Sequence, residues 1–262
     1  MKKIRGYWFV FFLFLFAAAL CGVKLVKHEK LQQERLLSLE ADVKLIYEKN
    51  NQPAAKWNPD GYNYLAIGNS ITKHPVNEYW WNECGMAAST AENDFVHIIS
   101  SKLNAKPYAY NFAAWEMTGH DRGEVLSLLD GVLGDALNLV TIQLSENVSD
   151  LSAFESDFEE LIRYVQKGAP NAQIIVVGDF WDKGQKDKMK MESCSAAKVD
   201  FVSLDGIKGQ AKYQCGVGTT VYDKEGSSHI VEHAGVAQHP NNEGMRWIAE
   251  KILDMVKEEN DG

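Results

Sequence analysis

Tyr62-Asn63-Tyr64-Leu65-Ala66-Ile67-Gly68-Asn69-Ser70-Ile71-Thr72 is the stretch whose reading decides the fold. An apolar run from Tyr62 to Ile67 reads as a strand, and it empties into Gly68-Asn69-Ser70, a tight turn that carries a serine. A serine at the C-terminal end of a strand stands where open α/β sheets gather their active sites. Outward from this stretch, apolar runs alternate with helical patterns. Strands are expected at 108–112, 139–143, 173–177 and 199–202, and helices at 92–103, 124–133, 153–167 and 243–257. That alternation predicts an α/β fold, a three-layer α/β/α sandwich around a flavodoxin-like parallel five-stranded sheet. Ser70, Trp115, Asn147 and Asp179 all follow strand ends, so such a sheet brings them to one edge.

Alone, a serine after Gly-Asn is an ordinary turn or cap residue. It becomes a nucleophile only if a base takes its proton and donors hold the oxyanion. Two later segments offer these. Ile142-Gln143-Leu144-Ser145-Glu146-Asn147 is an apolar strand ending in a loop with a side-chain donor, and His239-Pro240-Asn241-Asn242-Glu243-Gly244-Met245 sets a histidine before a helix.

In this order the three segments resemble the SGNH/GDSL hydrolase superfamily of esterases and lipases, over roughly residues 61–256. The resemblance implies Ser70 as nucleophile and His239 as general base. It implies Asn147 and the backbone amide of Ser70 as oxyanion donors, and an acyl-enzyme mechanism needing no metal or organic cofactor. The sequence departs from that family at three places. Asn69 replaces the aspartate beside the nucleophile. Glu116, in Asn111-Phe112-Ala113-Ala114-Trp115-Glu116, falls where the family has an oxyanion glycine, so its backbone amide is the expected donor there. Val236 stands where an aspartate would orient the histidine. His239 must then be oriented by a backbone carbonyl, a water or an acid from elsewhere, with Glu232, Asp179 and Asp182 as the candidates. The alternative is a catalytically degenerate glycan-binding or scaffold protein on the same fold.

His229-Ile230-Val231-Glu232-His233 has the His-x-x-Glu-His order of inverted zinc peptidases, whose chemistry requires a helix. Here it follows the turn-like Asp223-Lys224-Glu225-Gly226-Ser227-Ser228, which favours the returning arm of a hairpin. In a strand the two histidines would lie about 13 Å apart. Trp80, Trp81, Trp115 and Trp181 fall in or beside the loops after the strands and form an expected aromatic rim for substrate, suited to sugar rings or acyl chains.

The 262 residues carry a net charge of −9, which disfavours a nucleic-acid partner. Lys2, Lys3 and Arg5 precede an apolar run from Tyr7 to Val23, read as a signal anchor or signal peptide over residues 1–26. An amphipathic stalk or linker follows over 27–57, and the hydrolase-like domain over 58–262. The domain is expected outside the cytoplasm, tethered by a single membrane pass, or secreted if the segment is cleaved. In that setting the expected substrate is an ester, O-acetylated glycan of the cell envelope foremost. Of the cysteines outside the apolar run, Cys194 and Cys215 could pair, or Cys84, Cys194 and Cys215 could all remain thiols.

Overall fold

The computed structural model describes residues 44, 55–119, 122–181 and 184–257. The expected 1–26 anchor, and all of the 27–57 stalk except Lys44 and residues 55–57, lie outside them. The chain divides after Leu45 into two units, and the architecture below is that of the second, Ile46–Gly262. Among the described residues no helix is long and apolar enough to cross a membrane.

Strands β1 (Asn63–Gly68), β2 (Lys106–Asn111), β3 (Leu139–Gln143), β4 (Gln173–Val177) and β5 (Asp200–Val202) form one sheet, in the order β2-β1-β3-β4-β5. Every neighbouring pair in it is parallel. This is the doubly wound flavodoxin-like order, whose switch point lies between β1 and β3. Alternation along β1 shows how the residues build it. Tyr64 and Ala66 enter one core, with Phe95, Ile99, Met245 and Ile248. Leu65 and Ile67 enter the other, with Phe154, Phe158, Leu161 and Val165. The sheet is therefore covered on both faces, by helices α1 (Phe95–Leu103) and α6 (Asn242–Leu253) on one side, and α3 (Phe154–Gly168) and α4 (Gln185–Ala197) on the other. Two shorter helices, α2 (Ala113–Met117) and α5 (Ala234–Ala237), lie in the connections.

The helix boundaries follow local chemistry. Asp94 caps α1 by accepting from His97 N at 2.7 Å, and Asn241 caps α6 by accepting from Gly244 N at 2.9 Å, each satisfying a helix-end donor. The expected helix at 124–133 is instead a 3-10 run, Arg122–Leu129. Glycines at 123, 131 and 134 deny that segment a continuous helical stretch. Helix α4 was absent from the sequence expectation because it shows no apolar stripe. The residues it buries are Lys186, Asp187, Lys190, Ser193, Cys194 and Ala197. Cys84, Cys194 and Cys215 are all free thiols.

After β5 the chain makes an antiparallel hairpin, β6 (Thr220–Tyr222) with β7 (Ser228–Ile230). The His229-Ile230-Val231-Glu232-His233 stretch is thus strand and loop, not helix. His229 Nε2 donates to Asp223 Oδ2 at 3.0 Å, while His233 lies at the N-cap of α5.

Candidate active site

β1 delivers Ser70 to the switch point. A Cβ on Gly68 would fall 1.8 Å from Thr72 Oγ1 and 2.8 Å from the Gln143 carbonyl, so only glycine lets the turn fold back against β3. Asn69 closes that turn: its carbonyl accepts from Thr72 N and Lys73 N, and its side-chain oxygen from Ile71 N. Ser70 is left half-buried at the tip.

His239 reaches it from the connection between α5 and α6, 169 residues along the chain, with Ser70 Oγ and His239 Nε2 2.8 Å apart. The other ring nitrogen, Nδ1, lies 2.8 Å from the Gly235 carbonyl. A carbonyl can only accept, so Nδ1 carries the proton and Nε2 presents its lone pair to the serine hydroxyl. Burial pushes the imidazole down to about 3, the Gly235 bond opposing this only in part. Trp181 meets the ring edge-to-face at 4.8 Å and donates Nε1 to the Gln238 carbonyl.

The acceptor behind His239 is therefore a backbone carbonyl, the first of the options left open by Val236. The acids considered for that place stand elsewhere. Asp179 is fully buried and pairs with Lys190 at 2.6 Å and Lys186 at 2.9 Å. Burial pushes its carboxyl up, but the two ammonium groups outweigh this and hold it below the usual range. Glu232 is exposed. Asp182 lies outside the described residues.

Glu116 occupies a place that its position in the sequence did not foretell. It sits in α2, 3% exposed, and its carboxylate joins three segments. Oε1 accepts from Asn69 Nδ2 at 3.0 Å and from Ser145 N at 2.6 Å, and Oε2 accepts from Asn147 Nδ2 at 2.7 Å. Burial raises its pKa against those three bonds. Asn147 is half-buried, and its amide has a second N–H beyond the one given to Glu116. Glu116 thus fixes the direction in which Asn147 can donate.

The loop carrying Asn147 is held from below as well. Ser145 has φ of +105°, a left-handed backbone unusual for a residue with a side chain. Its amide donates to Glu116, its hydroxyl to Asp179, and its carbonyl accepts from Lys186 Nζ at 2.6 Å. Lys190 Nζ, fully buried, donates to the Leu144 and Val177 carbonyls and to Asp179. Glu146 accepts from the amides of Phe180 and Trp181. Burial, with Asp179 nearby, pushes its carboxyl well up. A strained backbone persists only where its surroundings over-determine it, and here every polar group of Ser145 is engaged.

The aromatic rim is smaller than expected. Trp80 and Trp115 are 1% and 0% exposed. Trp115 packs edge-on against Phe158 at 5.6 Å, deep in the core. Large rings after a strand bury more area as core than as rim. Trp181, against His239, and Trp81, stacked on His229 at 4.5 Å, remain half-buried near the surface.

No protein-family model matches the chain, and no curated protein matches it in sequence. Several solved structures are similar in fold. One described as a GDSL-like lipase, from Bacteroides ovatus, shares 15% identity at a TM-score of 0.49, covering 74% of this chain and 98% of that one. A family two carbohydrate esterase from Clostridium thermocellum, in complex with cellohexaose, shares 18% at 0.48, covering 79% and 65%. Phospholipase A1 from Streptomyces albidoflavus shares 11% at 0.46, covering 75% and 100%. The match spans just under two thirds of the carbohydrate esterase. At these identities and TM-scores the likenesses do not carry function, which rests on the geometry of the site.

Proposed function

We propose that this chain is a serine esterase of the SGNH/GDSL type. The observation that carries the reading is the relay of Ser70 Oγ to His239 Nε2, and of His239 Nδ1 to the Gly235 carbonyl, each at 2.8 Å. His239 takes the Ser70 proton as the hydroxyl attacks the ester carbonyl. The free N–H of Asn147 and the amide of Ser70 receive the oxyanion, and His239 returns the proton to the leaving alcohol. Water, deprotonated by the same imidazole, then clears the acyl-enzyme. The test is turnover of p-nitrophenyl acetate by the full-length protein. Absence of turnover, on this reporter and on acetylated glycans alike, would favour the non-catalytic glycan-binding reading, which the valine at position 236 supports.

The buried imidazole sets the pH dependence. A base whose pKa is lowered to about 3 is neutral, and competent, at every pH above that value. The acid limb of kcat/KM, which reports the free enzyme, is therefore expected well below the ordinary histidine value of about 6.5. Activity should already be on its plateau near pH 5. A limb centred between pH 6 and 7 would show that the ring titrates as an open, solvated histidine.

The substrate class we propose is an O-acetylated cell-envelope polysaccharide, deacetylated by a domain tethered outside the cytoplasm. The apolar Tyr7 to Val23 run behind Lys2, Lys3 and Arg5 supports the tether. Intact cells treated with an external protease should lose the domain while cytoplasmic markers survive, and the protein should stay with membranes in alkaline carbonate. Recovery in the cytosol would overturn this placement.

A further inference from the structure

The β6–β7 hairpin lines a second cleft, whose His233 stands two residues before the Gly235 that holds His239. Its walls are two stacked pairs that join the hairpin side to the segment after the nucleophile turn. Tyr79 lies on His233 with ring centroids 4.3 Å apart and planes 12° from parallel, and Trp81 lies on His229 at 4.5 Å and 8°. Asp223 fixes His229 from behind, at 3.0 Å from Nε2. The hairpin is also tied down by backbone: Tyr222 N donates to the Ser89 carbonyl, and Asn82 Nδ2 to the Tyr222 carbonyl. The cleft so formed has a volume of about 600 Å³, within the range of small-molecule sites.

It shares a wall with the site already described. Gly235, whose carbonyl holds His239, is close enough to His233 that a Cβ there would fall 2.9 Å from the ring. A glycan with its ester at Ser70 and its neighbouring sugars on the Gly235 side would meet this cleft.

The lining decides what that chain can be. Besides the four rings it comprises Glu78, Glu232 and a single aliphatic side chain, Ile230. Both carboxylates are exposed, and the described lining holds no lysine or arginine. An acyl chain would force those carboxylates to give up water without an exchange of hydrogen bonds, which is costly. An anionic polymer would meet like charge. A pyranose offers C–H faces to the rings and hydroxyl donors to the carboxylates. We infer that the cleft between Tyr79–Trp81 and β7 is a subsite for uncharged sugar units of the glycan that carries the scissile ester. This rests on the esterase reading above.

The experiment compares the full-length protein with Glu78→Gln/Glu232→Gln, a surface change, and with Trp81→Ala. Each is assayed on p-nitrophenyl acetate, acetylated xylo-oligosaccharides, acetylated manno-oligosaccharides and acetylated oligogalacturonides. The wild type is expected to prefer a neutral series to the galacturonides. In the variants KM for that series should rise about tenfold, from weakened hydrogen bonds to charged groups in Glu78→Gln/Glu232→Gln and from the lost ring face in Trp81→Ala, and the ratio of its kcat/KM to that of the reporter should fall with it. A wild type that prefers galacturonides, or variants whose ratio does not move, would overturn the inference while leaving the esterase standing. If no ester is turned over, the esterase reading fails first. Calorimetric binding of the unacetylated neutral oligosaccharides then decides the cleft alone: saturable binding weakened by Glu78→Gln/Glu232→Gln supports it, and absence of binding overturns it.

Discussion

Ser70→Ala and His239→Ala are each expected to lower kcat/KM on p-nitrophenyl acetate by at least about 10³-fold, and the double variant should be no worse than either. Non-additivity follows from a shared step: once the base or the nucleophile is gone, the remaining partner has no proton transfer to perform. The expected size starts from what a missing carboxylate costs. In a Ser-His-Asp protease, replacing the aspartate by asparagine lowers kcat about 10⁴-fold, largely because the imidazole adopts the wrong tautomer. Here the Gly235 carbonyl 2.8 Å from Nδ1 cannot donate, so the correct tautomer is kept. What is missing is the negative charge that would stabilise the imidazolium. The pair should therefore retain much of a triad's advantage over the enzyme without its nucleophile. Ser70→Ala leaves His239 bonded to Gly235 and packed on Trp181, so its thermal unfolding should match the wild type. More than a tenth of the activity surviving in a folded Ser70→Ala would remove Ser70 from the nucleophile's place.

Residues, taken singly, explain what was legible in advance. β3 and β4 span the residues expected for them, 139–143 and 173–177, since a strand buried on both faces is written as a mostly hydrophobic segment. Helix α4 left no such trace because its inner face carries Lys186 and Lys190, which bond to Asp179 and the carbonyls after β3 and β4, Asp187, which pairs with Lys208, and Ser193, which donates to the Glu155 carbonyl. Ser70 and His239 were visible as ordered motifs, and the structure brings them within hydrogen-bond distance. The acceptor behind His239 was not identifiable, for a carbonyl belongs to any residue and Gly235 has no side chain to announce it. Trp80 and Trp115 misled because sequence position gives the loop and not the direction of the ring. Glu116 stood out in the sequence as a mismatch to a glycine, but its carboxylate spans partners 29 to 47 residues away in the chain, which no local pattern could show.

Glu116 is expected to show an effect on kcat comparable to the loss of Asn147, the oxyanion donor that it orients. Glu116→Ala should lower kcat about 10²- to 10³-fold, the cost of one oxyanion donor, with KM nearly unchanged. The split follows from geometry. Asn147 gives one N–H to Glu116 and keeps the other for a charge that develops only in the transition state, and an interaction made only there appears in kcat rather than in KM. With the carboxylate gone, Asn69 Nδ2, Ser145 N and Asn147 Nδ2 all lose their acceptor, and the Asn147 amide is free to turn. Glu116→Gln tests direction rather than volume. Its single oxygen can keep the two bonds of Oε1 or the one of Oε2, but not both. Wherever its NH₂ falls it faces a donor, so Glu116→Gln should also lose kcat, with its unfolding temperature lowered by a few degrees for the buried donor left without an acceptor. A Glu116→Gln enzyme with wild-type kcat would show that Asn147 is held by its own loop. A rise in KM at constant kcat would place Glu116 in substrate binding instead.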